Sequence, residues 1–299
     1  DVYKRQAITT GIIYRTTTVT PIGAFALLDS SVDPGFIDTK NRPVLIQTFE
    51  ENASGERLTI AVNHFKSKGS SCDDVGDPDT TNGQGNCNGV RTDAATALAN
   101  YLATDPTGSG DADFLILGDL NAYAMEDPIK ALEDAGYDNL IRQFLGADAY
   151  SFVFDAQLGY LDYALATQSL TAQVTGVTEW HINADEASLL DYNDAVQDAT
   201  EASFNVKPSV NTLYSADPYR SSDHDPVIIG LDLATSQFEY CELDGNGQID
   251  INDVNAIIAR RNQPASGPSD PADPNGDGVI TVVDARLCVL QCTNPRCAP

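Results

Sequence analysis

Phe114-Leu115-Ile116-Leu117-Gly118-Asp119-Leu120-Asn121 is the stretch on which the reading of the fold depends. Four consecutive large apolar residues suit a short buried strand. The run ends at Gly118-Asp119, which leaves a carboxylate and the Asn121 carboxamide at the strand end. Working outward, Leu58–Phe65 alternates apolar and polar residues like a half-buried strand and runs into Asn63-His64-Phe65-Lys66-Ser67-Lys68. Ser222-Asp223-His224-Asp225-Pro226 leads into the apolar Val227–Leu233, and Leu161-Asp162-Tyr163 lies within the strand-like Tyr160–Ala166. Polar groups at strand ends, on loops over a rigid frame, are where an α/β domain carries its chemistry. Two imidazoles, several carboxylates and a carboxamide so placed are the parts for metal-assisted attack on a phosphate ester. Each segment alone reads equally well as a turn or an edge-strand polar group; their joint occurrence in this order decides the reading.

Further elements complete an α/β domain over residues 7–233. Ile8–Thr20 and Val44–Phe49 are rich in β-branched and apolar residues and predict strands. Thr92–Ala103 predicts a helix capped by Thr92, and Glu126–Ala135 a second one with Pro128 in its first turn. The formal charge of −27 argues against holding a polyanion or a membrane surface by bulk attraction. A nucleic-acid substrate would need local cations and divalent metal. Six cysteines, with Cys72 and Cys87 bracketing a Gly/Asp/Asn-rich loop and Cys241, Cys288, Cys292 and Cys297 gathered late, read as disulfides of an exported protein. Free or zinc-bound thiols are the alternative. No apolar run is long enough to span a bilayer. Asp1–Gln6 reads as a sequencing-library scar, so the chain is expected to be the downstream part of a longer secreted protein whose signal lies outside it.

Asn63-His64-Phe65-Lys66-Ser67-Lys68-Gly69, Gly118-Asp119-Leu120-Asn121-Ala122-Tyr123, Leu161-Asp162-Tyr163 and Ser222-Asp223-His224-Asp225-Pro226 resemble the endonuclease/exonuclease/phosphatase superfamily with its DNase I-like fold. Asn41-Arg42-Pro43, the Cys72–Cys87 loop before Arg91, Glu126-Asp127-Pro128 and His181-Ile182-Asn183-Ala184-Asp185-Glu186 resemble its bacterial secreted extracellular nucleases. The resemblance implies a four-layered α/β/β/α sandwich and Mg²⁺- or Mn²⁺-dependent hydrolysis of phosphodiesters in DNA, with RNA as a further substrate. It implies His224 as general base, neutral at working pH if it keeps an ordinary titration, with Asp162 orienting it. Asp119 and Asn121 would position the water and a phosphate oxygen, Asp223 would ligate the metal, and His64 would face the phosphate. Lys66, Lys68 and Arg91 are the expected cations beside the substrate, and Cys72 and Cys87 the expected disulfide. Trp180 and His181 are assigned to structure first and a substrate rim second. The family also carries an Asn and a metal-binding Glu in an earlier segment that no residue here matches, so this chain is expected to be a weakened or inactive form of its parent.

From residue 234 the character changes. Asp273, Asn275, Asp277, Val279, Thr281 and Asp284 occupy the ligand positions of an EF-type calcium loop, with Gly278 at the sharp turn. Glu242, Asp244, Asn246, Gln248, Asp250 and Asp253 form a first copy, and Gln263–Pro274 is the linker. The helical patterns Val254–Arg261 and Ala285–Gln291 follow the loops. Two such half-hands resemble a type I dockerin, a small all-α module that binds Ca²⁺ and a cohesin-like protein partner. The recognition positions hold Ile251-Asn252 and Val282-Val283 in place of the usual Ser-Thr.

Three functions follow as expectations. The first is a secreted metal-dependent nuclease with a calcium-binding C-terminal module. The second is a phosphatase or lipid phosphodiesterase of the same fold. The third is a calcium-dependent interaction module on an inactive fragment.

Overall fold

The computed structural model describes residues 9–187, 217–233, 240–244, 248–267, 270–292 and 297–298. They fall into two units, Asp1–Leu233 and Ala234–Pro299. Among the described residues no helix is long and apolar enough to cross a membrane.

The first unit is organised by a six-stranded sheet in the order β1-β2-β3-β4-β8-β5. Its strands are β1 (Val19–Leu28), β2 (Val44–Glu51), β3 (Arg57–His64), β4 (Phe114–Asp119), β5 (Tyr137–Asn139) and β8 (Asp162–Thr167). Only the β3–β4 pairing within it is parallel. Two antiparallel pairs stand apart, β6 (Phe152–Phe154) with β7 (Gln157–Gly159), and β9 (Val174–Glu179) with β10 (Val227–Leu231). The parallel crossover from β3 to β4 is made by α1 (Asn88–Leu102), as a parallel connection requires. Ala94, Ala95, Leu98 and Leu102 of α1 are buried in the same core as Ile46, Leu115, Ile116, Tyr163 and Leu165. The helices α2 (Asp127–Asp134), α3 (Leu140–Leu145) and α4 (Gln168–Thr171) complete the unit.

Two expectations about elements are corrected. Ile8–Thr20 is strand only at Val19 and Thr20 among its described residues: Ile13 is fully exposed, a turn closes from Arg15 onto Thr18 and Val19, and the ladder starts at Val19 opposite Glu51. Thr92 is not a cap, because α1 begins at Asn88, and Thr92 Oγ1 donates to Asn88 O inside the helix. The start is earlier because Cys87, joined to Cys72 and held at φ 64°, turns the chain directly into the helix. Among the described residues the remaining β structure is the two-stranded β9–β10 and β6–β7 pairs, so the six-stranded sheet carries most of it.

The second unit places α5 (Ile251–Ala259) and α6 (Val282–Leu290) after two similar loops. Both helices start before the Val254 and Ala285 expected for them, because each is opened by a capping box, Asp250 with Asp253 and Thr281 with Asp284. Val254, Ile257, Ala272, Ile280 and Ala285 form its small core with Cys241 and Cys288. Cys241 is joined to Cys288 and Cys292 to Cys297.

Candidate active site

Register brings the site together. His64 on β3 is the partner of Asp119 on β4, and Asp119 is the partner of Asp162 on β8. Three side chains far apart in sequence therefore form one row across the ends of three adjacent strands. One step back in that row, Gly118 sits at φ 116°, and a Cβ there would lie 2.2 Å from Asn63 O. Only glycine allows β3 and β4 to approach this closely at the site.

Beyond β4 the chain turns at Asn121, whose φ of 49° is stabilised locally. Its backbone N–H donates to Asp119 Oδ1 at 2.7 Å, and its Nδ2 donates to Asp119 Oδ2 at 2.8 Å and to Phe65 O at 3.1 Å. Asn121 thus fixes the Asp119 carboxylate and ties the β3 and β4 ends together. Deep burial, reinforced by the charge of Asp162, pushes Asp119 up to about 7. His64 Nε2 stands 3.7 Å from Asp119 Oδ2. Burial, then the charges of Arg42 and His224, lower the His64 titration against the pull of Asp162 and Asp223.

His224 arrives from the loop before β10. Its Nδ1 lies 2.7 Å from Asp162 Oδ2, and the same oxygen accepts the Ser151 hydroxyl at 2.7 Å. The Phe152 ring packs 4.6 Å from the imidazole. Burial alone would lower the His224 titration; the bond to Asp162 and the charges of Asp162, Asp119 and Asp223 outweigh it and push it up to about 9. This corrects the expectation of an ordinary imidazole. Without a cation among the carboxylates, His224 holds its proton at neutral pH.

Asp119, Asp162 and His224 each offer a ligand atom, all within 4.8 Å of one another. Two carboxylates and an imidazole at this spacing, with Asp119 pushed up by burial and by its neighbour's charge, fit a hard divalent cation. Asp223 is exposed and is not in that group, although its charge reaches His64, Asp119 and His224.

The expected substrate cations are corrected. Arg91 is fully buried and donates to the backbone carbonyls of Lys66, Asn86 and Gln84. Lys66 is buried, with its ammonium on Ser67 O and Ser70 Oγ. Lys68 is paired with Glu126 and lies 4.6 Å over the Tyr123 ring. Arg91 thereby holds Gln84 and Asn86 of the loop closed by Cys72–Cys87, while Lys66 and Lys68 are engaged by neighbours outside it. Arg42, whose charge is felt by His64, is the cation that reading the sequence left without a role. Ser151 and Phe152 were also missed; a hydroxyl just before a short strand and a phenyl at its start carry no motif. His181 is anchored, its Nδ1 2.9 Å from Asp225 Oδ2 and its ring stacked on Tyr150 at 4.0 Å. The buried Asp225 also accepts the backbone N–H groups of Ile182, Asn183 and Ala184.

The second unit has its own acidic clusters. Glu242, Asp244 and Asp253 bring carboxylate oxygens within 4.8 Å of one another. Asp253 accepts from Leu243 N and Asp250 N, Asp250 caps α5, and Gln248 lies in the same loop. Asn246 lies outside the described residues. In the second loop, Asp273 Oδ2 accepts Gly278 N and Asp284 Oδ2 accepts Thr281 N. The other oxygens, Asp273 Oδ1 and Asp284 Oδ1, are buried with no hydrogen-bond partner. Asn275 and Asp277 bond to each other, Asp277 accepts Val279 N, and Thr281 spends its hydroxyl on Asp284 and on capping α6. Buried carboxylate oxygens left unpaired are costly unless a cation completes them, and an all-oxygen set fits Ca²⁺.

None of the curated proteins matches the chain. Solved structures similar to it include the human Nocturnin catalytic domain, at 17% identity, TM-score 0.38, covering 55% of this chain and 52% of that one. An endonuclease/exonuclease/phosphatase family protein from Bacteroides thetaiotaomicron has 14% identity, TM-score 0.41 and 56% coverage of each chain. The 3′ phosphatase NExo from Neisseria, bound to product DNA hairpin, has 15% identity, TM-score 0.38 and coverage of 71% and 72%. The chain spans little more than half the length of the first two. Residues 11–224, which include His64, Asp119, Asn121, Asp162 and His224, match the model of the Endonuclease/Exonuclease/phosphatase family, and the chain belongs to that family of phosphate and phosphodiester hydrolases.

Proposed function

We propose that the chain is the nuclease portion of a secreted, divalent-metal-dependent phosphodiesterase that cleaves extracellular DNA and also RNA, joined to a dockerin-like calcium-binding module. The observation that carries this reading is the convergence of Asp119, Asp162 and His224 at one strand-end row, with ligand atoms within 4.8 Å. Asp119, at the centre of this row, would hold Mg²⁺ or Mn²⁺, with exposed Asp223 as a further carboxylate able to reach it; such a cation would neutralise charge on the phosphate and make a bound water more acidic. With a cation offsetting the carboxylates that otherwise keep it protonated, His224, aligned by Asp162, would be free to accept the proton of the attacking water. Asn121 orients Asp119 and a phosphate oxygen. His64, 3.7 Å from Asp119, faces the leaving side of the phosphate. In this reading the six-stranded sheet and the β9–β10 pair are the two sheets of a four-layered sandwich. Three disulfides among the described residues favour an oxidising compartment.

Plasmid nicking tests the reading. The wild-type chain in Mg²⁺ with Ca²⁺ present is expected to convert supercoiled to relaxed DNA, to stop in EDTA, and to lose ~10²–10⁴-fold in rate in His224→Ala. Equal nicking by a folded His224→Ala chain would remove His224 from the chemistry. No nicking by the folded wild type, with p-nitrophenyl phosphate cleaved, would move the assignment to a phosphatase.

A further inference from the structure

Beside the groups that act on the phosphate lies a largely apolar cleft of about 540 Å³. Part of its wall belongs to the segments that carry those groups. Tyr123 and Met125 follow Asp119 and Asn121 in one loop, and Gly159 and Tyr160 run directly into Asp162. Leu158 and Arg142 complete the lining used here.

A chain of contacts connects this cleft to His224. A Cβ on Gly159 would stand 2.7 Å from Tyr123 Cε1, so the tyrosine ring lies against the bare glycine backbone. Gly159 is the cross-strand partner of Phe152. Directly opposed residues share one face of a strand pair, about 5 Å apart. The Phe152 ring then lies 4.6 Å from the His224 imidazole. Tyr123 is held in place by the Lys68 ammonium over its ring. At the rim, Met125 and Leu158 remain 71% and 63% exposed. Large apolar side chains gathered at the mouth of a cavity mark a binding surface.

We infer that this cleft holds the nucleobase of the nucleotide adjoining the scissile phosphate. The inference rests on the phosphodiesterase reading above. A planar base suits walls of tyrosine, methionine and leucine, because every base offers a π-face for sequence-tolerant stacking. Arg142, half-exposed and 2.8 Å from Glu133, adds a planar donor at the edge for base heteroatoms. The cleft thereby selects nucleic-acid strands over bare phosphate esters, and does so with apolar contacts that the chain's negative charge does not oppose.

The test compares two short single-stranded oligonucleotides with one cleavable phosphodiester, identical except that one carries an abasic tetrahydrofuran residue beside it. Wild type with Mg²⁺ is expected to cleave the intact strand with kcat/KM at least about tenfold higher, the scale of one base–aromatic stack. Leu158→Asp, at an exposed position, is expected to remove that preference by raising KM for the intact strand while leaving the abasic strand unchanged. Gly159→Ala is expected to do the same by pushing Tyr123 into the cleft. Equal cleavage of both strands by wild type, or an equal loss on both strands in Leu158→Asp, would overturn the inference. If neither strand is cleaved, the proposed function fails. The cleft is then judged by fluorescence of a 2-aminopurine strand, quenched by wild type and not by Leu158→Asp if a base stacks there, and unquenched by both if none does.

Discussion

Asp162 Oδ2 receives two bonds of 2.7 Å, from Ser151 Oγ and His224 Nδ1, so one oxygen sets the direction of the imidazole. The sign of its effect on His224 is clear. The folded titration, pushed up to about 9, lies above the ordinary 6.5, so this contact stabilises the metal-free fold fully below pH 6.5 and ceases to do so as pH rises through 9. Asp162→Asn keeps the size and removes the charge. In metal-free protein, NMR titration of His224 is expected to move from about 9 down toward 6.5, and the alkaline loss of stability to begin earlier. An unmoved titration would show that Asp119 and Asp223 hold the proton without Asp162. At this scale the motif residues stood out in the sequence because each borders a recognisable strand: His64 and Asp119 end β3 and β4, Asn121 follows β4, Asp162 opens β8 and His224 precedes β10. The ordinary titration expected of His224 was not met, because sequence order does not show three carboxylates converging on one ring. Arg91 was misread for the related reason that a cation before a helix looks available until its carbonyl partners are seen.

Strand register turns those residues into a site. The parallel β3–β4 pair and the antiparallel β4–β8 pair put His64, Asp119 and Asp162 in one row, and Gly118 permits the approach. The strands themselves were legible in the alternation of Leu58–Phe65 and the apolar run Phe114–Leu117. Their neighbours were not, because the short β5, β6, β7 and α3 bury too few residues to leave a period. The start of α1 was displaced for a different reason: a covalent constraint at Cys87 overrides the capping signal of Thr92. That constraint has a measurable weight. The Cys72–Cys87 bond closes a loop of sequence separation 15, and removing it as Cys72→Ser/Cys87→Ser is expected to destabilise the first unit by ~3 kcal/mol. The buried Arg91 keeps Lys66 O, but its other carbonyl acceptors, Gln84 and Asn86, lie within the loop that is freed. Urea unfolding followed by a probe in the first unit, with the same probe after mild reduction of the wild type, checks the figure. Matching midpoints for wild type and the double variant would show that Arg91 and Asp77, which accepts Val90 N, hold the loop without the bond.

On the scale of the whole molecule, a charge of −27 disfavours the compact state by self-repulsion, and the second unit has little core with which to resist it. A unit of this size needs staples, and it has two disulfides and the two acidic loops. The unpaired oxygens of Asp273 and Asp284 leave the second loop incomplete without an ion. Calorimetry of the full chain is expected to show a transition of the second unit that rises with Ca²⁺ and falls in EGTA. A ligand at a hundred times its Kd that binds only the folded state adds about 2.7 kcal/mol. Screening by any salt would also raise it, because repulsion among exposed carboxylates fades within a Debye length. NaCl at matched ionic strength separates the two effects, and a specific site responds to Ca²⁺ well beyond that control. Asp273→Asn retains an acceptor for Gly278 N but lacks the charge, so it is expected to lose most of the calcium shift while melting near wild type in EGTA. A transition that moves equally with NaCl and Ca²⁺, or a calcium shift undiminished in Asp273→Asn, would mean that the acidic loops are solvated turns and that disulfides and packing alone hold the unit together.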